Sequence, residues 1–182
     1  MTGPGTAARI DVLHVDDEPD LADLTAELLE RADAQLAVHT AAHPDEGLRL
    51  LADRAVDCVV SDQDMPGRTG IEFLEAVRET HPDLPFILYT GEGSERIAAD
   101  AIAAGVTDYL RKSVGPDQSD VLANRIRNAV AARRARARGE RRRHPAEGPP
   151  PTPAPGRVHP PGAAGRVVGV VLLLHLRRSP RS

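Results

Sequence analysis

One lysine, one cysteine and no tryptophan occur among 182 residues, and the aromatic set is two Phe and two Tyr. A single cysteine excludes an intramolecular disulfide. Cys58 lies in the apolar stretch from Asp57 to Asp62 and reads as a small core residue. No apolar run reaches the roughly 20 residues that a membrane-spanning helix needs. Val167 to Leu176 comes nearest and is broken by Gly169 and His175. Met1 to Arg9 lacks the apolar run of a signal peptide. A cytoplasmic protein without a membrane segment is the expectation. Lysine is almost replaced by arginine: Lys112 stands against 22 arginines. Its ammonium is a compact, strongly hydrated point charge, chemically unlike a guanidinium fork.

Acidic and basic residues are segregated. Residues 1–130 hold 25 acidic and 11 basic side chains, a net of −14, while residues 131–182 carry a net of +10. Strong acidity with so little lysine points to a salt-rich cytoplasm, because carboxylates hold water and salt screens their repulsion. The last 52 residues contain no Asp, Phe, Tyr, Trp or Met and offer little for a second core. One compact domain over residues 9–132 is expected, followed by an Arg/Pro/Gly-rich disordered tail over 133–182. The tail's bias is also what a shifted reading frame of GC-rich DNA gives. It lacks aromatic platforms for bases, so nucleic acid is not an expected partner.

Short apolar runs alternate with helical patterns. Strands are predicted at Ile10–Val15, Leu36–Thr40, Asp57–Ser61, Phe86–Thr90 and Thr107–Leu110. The first helix runs from Pro19 to Ala32, with Leu21, Leu24 and Leu28 on one face. The second opens at Pro44 and turns Leu48, Leu51 and Ala52 inward. The third spans Gly70–Thr80 through Ile71, Leu74 and Val77, and the fourth Glu95–Ala104, closed by Gly105. The last runs from Pro116 to about Ala132, with Val121, Leu122, Ile126 and Val130 facing the core. Five βα repeats imply a parallel sheet covered on both faces, a doubly wound α/β fold.

Polar residues gather at the carboxyl ends of these strands. Asp16 and Asp17 end the first, Asp62 the third and Thr90 the fourth, and Lys112 follows the fifth. In an open α/β sheet, ligands bind beyond these ends, where the strand order reverses. Three carboxylates brought together there repel: two unit charges ~4 Å apart cost about 4 kcal/mol at an effective dielectric of 20. A proton or a cation must compensate. Hard oxygens with open positions suit Mg²⁺, which readily accepts a phosphate oxygen. With Lys112 and Thr90 opposite, the set suits holding a phosphoryl group while Asp62 acts as nucleophile.

These residues resemble the receiver domain of two-component response regulators over about residues 9–132. The resemblance rests on Val15-Asp16-Asp17-Glu18-Pro19, the run Val59-Val60-Ser61-Asp62-Gln63-Asp64-Met65-Pro66-Gly67, Gly70, Thr90-Gly91 and Asp108-Tyr109-Leu110-Arg111-Lys112. It implies a flavodoxin-like (CheY-like) five-stranded sheet in the order 2-1-3-4-5 with five helices. It further implies Asp62 as phosphoacceptor. Asp17, Asp62 and the main-chain carbonyl of Asp64 would ligate Mg²⁺ or Mn²⁺, with Asp16 acting partly through water. Lys112 would pair with the phosphoryl group. Thr90 would hydrogen-bond it and move inward, letting Tyr109 turn from exposed to buried. Gly91 is small, as access to Asp62 requires. The implied donor is a histidine kinase or a histidine phosphotransfer protein. One position departs from the family: Ser113 follows Lys112 where proline, often in a cis bond, is usual.

Other readings compete. Asp62-Gln63-Asp64 matches the Asp-x-Asp of haloacid-dehalogenase-type phosphatases, but that motif normally ends the first strand. A phosphate-independent interaction module on the same fold is the second. The third is the front part of a longer sensor or regulator.

Overall fold

The computed structural model describes residues 8–91, 93–113 and 117–143. Five strands, β1 (Ile10–Val15), β2 (Leu36–Ala41), β3 (Cys58–Ser61), β4 (Phe86–Thr90) and β5 (Asp108–Arg111), form one parallel sheet in the order β2-β1-β3-β4-β5. Helices α1 (Pro19–Ala32), α2 (Pro44–Asp53), α3 (Gly70–Thr80), α4 (Glu95–Ala103) and α5 (Gln118–Arg143) connect and cover the strands.

Two cores lie on opposite faces of the sheet. Leu13, Val15, Val59, Phe86 and Leu88 point toward α2, α3 and α4, where the Phe73 and Phe86 rings meet edge-on at 5.6 Å. Ile10, Val12, Cys58, Val60, Ile87 and Tyr89 point toward Leu29 of α1 and Leu122, Ala123, Ile126 and Val130 of α5. Alternation sends successive side chains to opposite faces, so a strand buried on both sides reads as a continuous apolar run. Cys58 is fully buried, and burial pushes its thiol pKa up, away from reactivity.

Local chemistry places the helix starts. Pro19 and Pro44 occupy first-turn positions whose N–H groups have no helical partner. Thr69 caps α3: its Oγ1 accepts the Glu72 N–H at 3.2 Å, and the Glu72 carboxylate accepts the Thr69 N–H at 2.7 Å. Gly67 (φ 81°) turns the loop after β3, and Gly105 (φ 82°) ends α4.

One expected helix face is rotated, and two others lose a single residue to solvent. In α1, Ala22 and Leu29 are buried, whereas Leu24 and Leu28 are 50% and 39% exposed. In α2, Gly47 and Leu51 are buried and Ala52 is exposed. In α5, Val121 is exposed and Ala123 takes its place in the core. The α1 stripe lay about one residue, some 100°, from the face that the sheet selects, whereas Leu48 and Leu51 of α2 and Leu122, Ile126 and Val130 of α5 face the core as expected.

The last helix is longer than expected. Regular structure continues through the arginine run to Arg143, so residues 133–143 are helical and not part of a disordered tail. Arginine and alanine are good helix formers. Arg134 adds a tertiary reason: it pairs with Asp57 at 3.1 Å and donates to the Arg9 carbonyl at 3.1 Å. The rest of the predicted tail, with Val167 to Leu176, lies outside the described residues. No helix among the described residues is long and apolar enough to cross a membrane.

Candidate phosphoryl site

β1 and β3 run side by side, with Val15 opposite Ser61, so their carboxyl ends deliver Asp16, Asp17 and Asp62 to one point. Oxygens of these three carboxylates lie within 4.8 Å of one another. Asp16 is fully buried, and its Oδ1 accepts the Glu18 N–H at 3.0 Å. Asp62 is nearly buried, and its Oδ1 accepts the Gln63 N–H at 2.8 Å.

Lys112 arrives from the end of β5. Its N–H donates to the Thr90 carbonyl at 2.8 Å, fixing the backbone beside β4. The ammonium donates to Asp16 Oδ2 at 2.7 Å and stands 3.5 Å from Asp62 Oδ2. The Tyr89 ring lies below it, 5.7 Å from centroid to Nζ. Burial pulls the Lys112 pKa down, but its hydrogen bond to Asp16 and the charges of Asp62 and Asp16 outweigh it and raise it. Burial raises the Asp62 pKa; Lys112 and the Gln63 N–H oppose that rise, while Asp16 and Asp64 add to it. The site thus holds one charged ammonium among carboxylates that outnumber it.

An open cleft of about 620 Å³ leads to this point, lined by Asp17, Glu18, Leu21, Asp62, Asp64, Gly91 and Lys112. A Cβ on Gly91 would meet nothing within 4 Å, so the entrance is clear there. Gly70 is constrained instead: its Cβ would fall 2.2 Å from the Asp62 carbonyl oxygen and 2.7 Å from Leu88 Cδ1.

Thr90 is fully buried at the end of β4. Tyr109 is half-buried, packs against the α2–α4 core and keeps its hydroxyl buried without a hydrogen-bond partner among the described residues. That hydroxyl sits against the Gly93 backbone, where a Cβ would come within 2.3 Å of it. Tyr109 therefore occupies an inward position.

Two residues near the site were not singled out from the sequence. Tyr89 carries a phenol hydroxyl in the largely apolar strand β4, immediately before Thr90. His14 is a lone imidazole in the apolar first strand, two residues before Asp16. It is fully buried, and neither ring nitrogen has a hydrogen-bond partner among the described residues. Burial, only partly opposed by Asp16, lowers its pKa from 6.5 to about 4, so the ring is neutral.

The sequence model of the response regulator receiver domain matches residues 12–125. The chain belongs to that family. This receiver is 32% identical over 126 residues to the nitrogen assimilation regulatory protein NtrX of Azorhizobium caulinodans, covering 68% of this chain and 27% of that protein. To the C4-dicarboxylate transport transcriptional regulatory protein DctD of Pseudomonas aeruginosa it is 35% identical over 130 residues, 70% of this chain and 26% of DctD. The receiver thus spans about a quarter of the length of these curated relatives. Among solved structures, a response regulator receiver domain from Clostridium thermocellum superposes with a TM-score of 0.62 at 30% identity, covering 69% of this chain and 98% of that one. Chemotaxis protein CheY4 of Vibrio cholerae does so with a TM-score of 0.60 at 30% identity, covering 65% and 99%.

Proposed function

We propose that this receiver takes one phosphoryl group from a phosphohistidine onto Asp62 and relays the change to its surface through Thr90 and Tyr109. The carrying observation is the Lys112 ammonium 3.5 Å from Asp62 Oδ2 at the floor of an open cleft. A carboxylate oxygen of Asp62 attacks phosphorus. The bond from phosphorus to the donor nitrogen breaks, the nitrogen keeps the electron pair, and an acyl phosphate remains. Lys112 pairs with the phosphoryl oxygens, and the Thr90 hydroxyl donates to one of them. Tyr109 follows Thr90, a local charge event that biases a bistable surface.

The donor set fits a hard divalent cation: three carboxylates offer oxygens within 4.8 Å of one another, and Asp17 faces the cleft. Asp17, Asp62 and the main-chain carbonyl of Asp64 would hold Mg²⁺ or Mn²⁺, with Asp16 acting partly through water. When bound, the ion neutralises charge on the transferred group.

The donor partner is a histidine kinase or a histidine phosphotransfer protein, in the cytoplasm. The receiver accepts a group onto its own side chain and is not a turnover enzyme. Nucleic acid is not assigned to it, since residues 1–130 carry a net charge of −14, the sign of phosphate.

Intact mass after treatment with phosphoramidate and Mg²⁺ tests the reading. Wild type should gain one phosphoryl group, Asp62→Asn none, and Asp17→Asn less at equal time. Full phosphorylation of Asp62→Asn would overturn the assignment.

A further inference from the structure

Ser113 follows the site lysine. A serine imposes no ring constraint on the loop, yet the ammonium is held at 2.7 Å from Asp16. Something else must fix the backbone on either side of Lys112.

One side chain meets both sides. Gln118, half-buried in the first turn of α5, donates from Nε2 to the carbonyl of Arg111 at 3.0 Å. Its Oε1 accepts from the hydroxyl of Ser113. The residues before and after Lys112 are therefore tied to a single amide. Donors and acceptors match at each contact: Nε2 has two hydrogens and Oε1 accepts.

We propose that Gln118 is a positioning residue that, through Ser113 and Arg111, aims the Lys112 ammonium at the phosphoryl site. Gln118 touches neither Asp62 nor the transferred group. Its effect is to reduce the freedom of a lysine that has to meet a transition state. Misplacing a catalytic group by about 1 Å can cost up to 10²-fold in rate. The inference rests on the phosphoacceptor reading given above.

Lys112 is the only lysine, so ¹³C-lysine labelling of the full chain yields one Cε signal, a direct report on this ammonium. Gln118→Leu should phosphorylate from phosphoramidate about tenfold more slowly than wild type. Its Mg²⁺ affinity should stay within about twofold, because none of the carboxylates is touched. Its two lysine ε-proton shifts, distinct in wild type, should merge toward those of a free side chain. Ser113→Ala, at an exposed position that does not endanger folding, should slow the reaction about threefold, the weight of one modest hydrogen bond. A Gln118→Leu protein with the wild-type rate, or with an unchanged lysine signal, overturns the proposal. Should that variant not fold, an unchanged rate and lysine signal in Ser113→Ala do the same. Failure of wild type to take phosphate would instead overturn the phosphoacceptor reading, and the lysine spectrum, which needs no donor, would still judge Gln118.

Discussion

The Lys112 ammonium donates to Asp16 Oδ2 at 2.7 Å, across 96 residues of chain. The pair joins the ends of β1 and β5, which are not neighbours in the sheet, and spans the mouth between them. Asp16 is fully buried, so its charge depends on this partner and on the Glu18 N–H. The same ammonium is 3.5 Å from Asp62 Oδ2, and in the proposed function it exchanges one carboxylate for a phosphoryl oxygen. Its pKa is raised in this setting, so it stays charged while it does so.

His14 should be a cost to stability. Its ring is buried with both nitrogens unpartnered among the described residues. His14→Val should raise stability at pH 7 by about 1–2 kcal/mol in urea unfolding. The pH dependence has a definite sign. The folded-state pKa, about 4, lies below the unfolded value of 6.5, so the unfolded chain binds the proton first. Stability is therefore lost as pH falls from about 6.5 to about 4, by about 3 kcal/mol from this group. Asp16 and Lys112 face the ring with opposite effects, and both remain in the variant. The difference between wild type and His14→Val should widen over that window. A constant difference would show that His14 is already protonated or solvated in the fold.

Gly70→Ala should damage the site from behind. The added methyl would meet the Asp62 carbonyl oxygen at 2.2 Å, which is backbone and cannot step aside. A loss of about 3 kcal/mol is expected from overpacking. Phosphorylation of the remaining folded protein should also slow, because the displaced atom belongs to Asp62, the proposed phosphoacceptor. Gly91→Ala, with open space around its Cβ, should leave stability within about 0.5 kcal/mol of wild type.

The phosphorylated state should be short-lived. In receivers, side chains two positions after the phosphoacceptor and two after the threonine lie beside the path of the hydrolytic water. Asp64 is exposed and lines the cleft; Glu92, the second such position, lies outside the described residues. A short carboxylate leaves the path open and can accept a water hydrogen. Asp64→Met, alone or with Glu92→Ala, should lengthen the acyl-phosphate half-life several-fold. The check is decay in excess Mg²⁺ after donor removal, and unchanged or faster decay would remove the carboxylates from the mechanism.

Truncation separates the helical extension from the domain. A chain ending at Arg143 should unfold as the full chain does. One ending at Ala132 loses the bonds of Arg134 to Asp57 and to the Arg9 carbonyl. Both partners are partly exposed, so the loss should be about 1 kcal/mol or less. Arg134→Ala in the full chain should reproduce it. A larger loss on truncation than in Arg134→Ala would place further stabilising contacts beyond residue 132.

The sequence by itself determined the order of elements, the parallel sheet and the strand ends at which Asp16, Asp17, Asp62, Thr90 and Lys112 stand. Those features are local: a buried parallel strand is a short apolar run, a helix start carries Pro19, Pro44 or the Thr69–Glu72 box, and a polar residue ending an apolar run is visible in the letters. The strand order followed from resemblance to a known family, since periodicity does not specify which strands pair. Tertiary structure decided the rest. It turned Leu24 and Leu28 of α1 outward and Leu29 inward, because the phase of a helix is chosen by the surface it meets. It carried α5 past Ala132, where Arg134 reaches Asp57 over the end of the sheet. It buried His14 inside an apolar strand, and it explained Gly70 by an approach to Asp62 that no local pattern contains. Each of these depends on atoms distant in sequence and close in space, and a linear pattern carries no record of that distance.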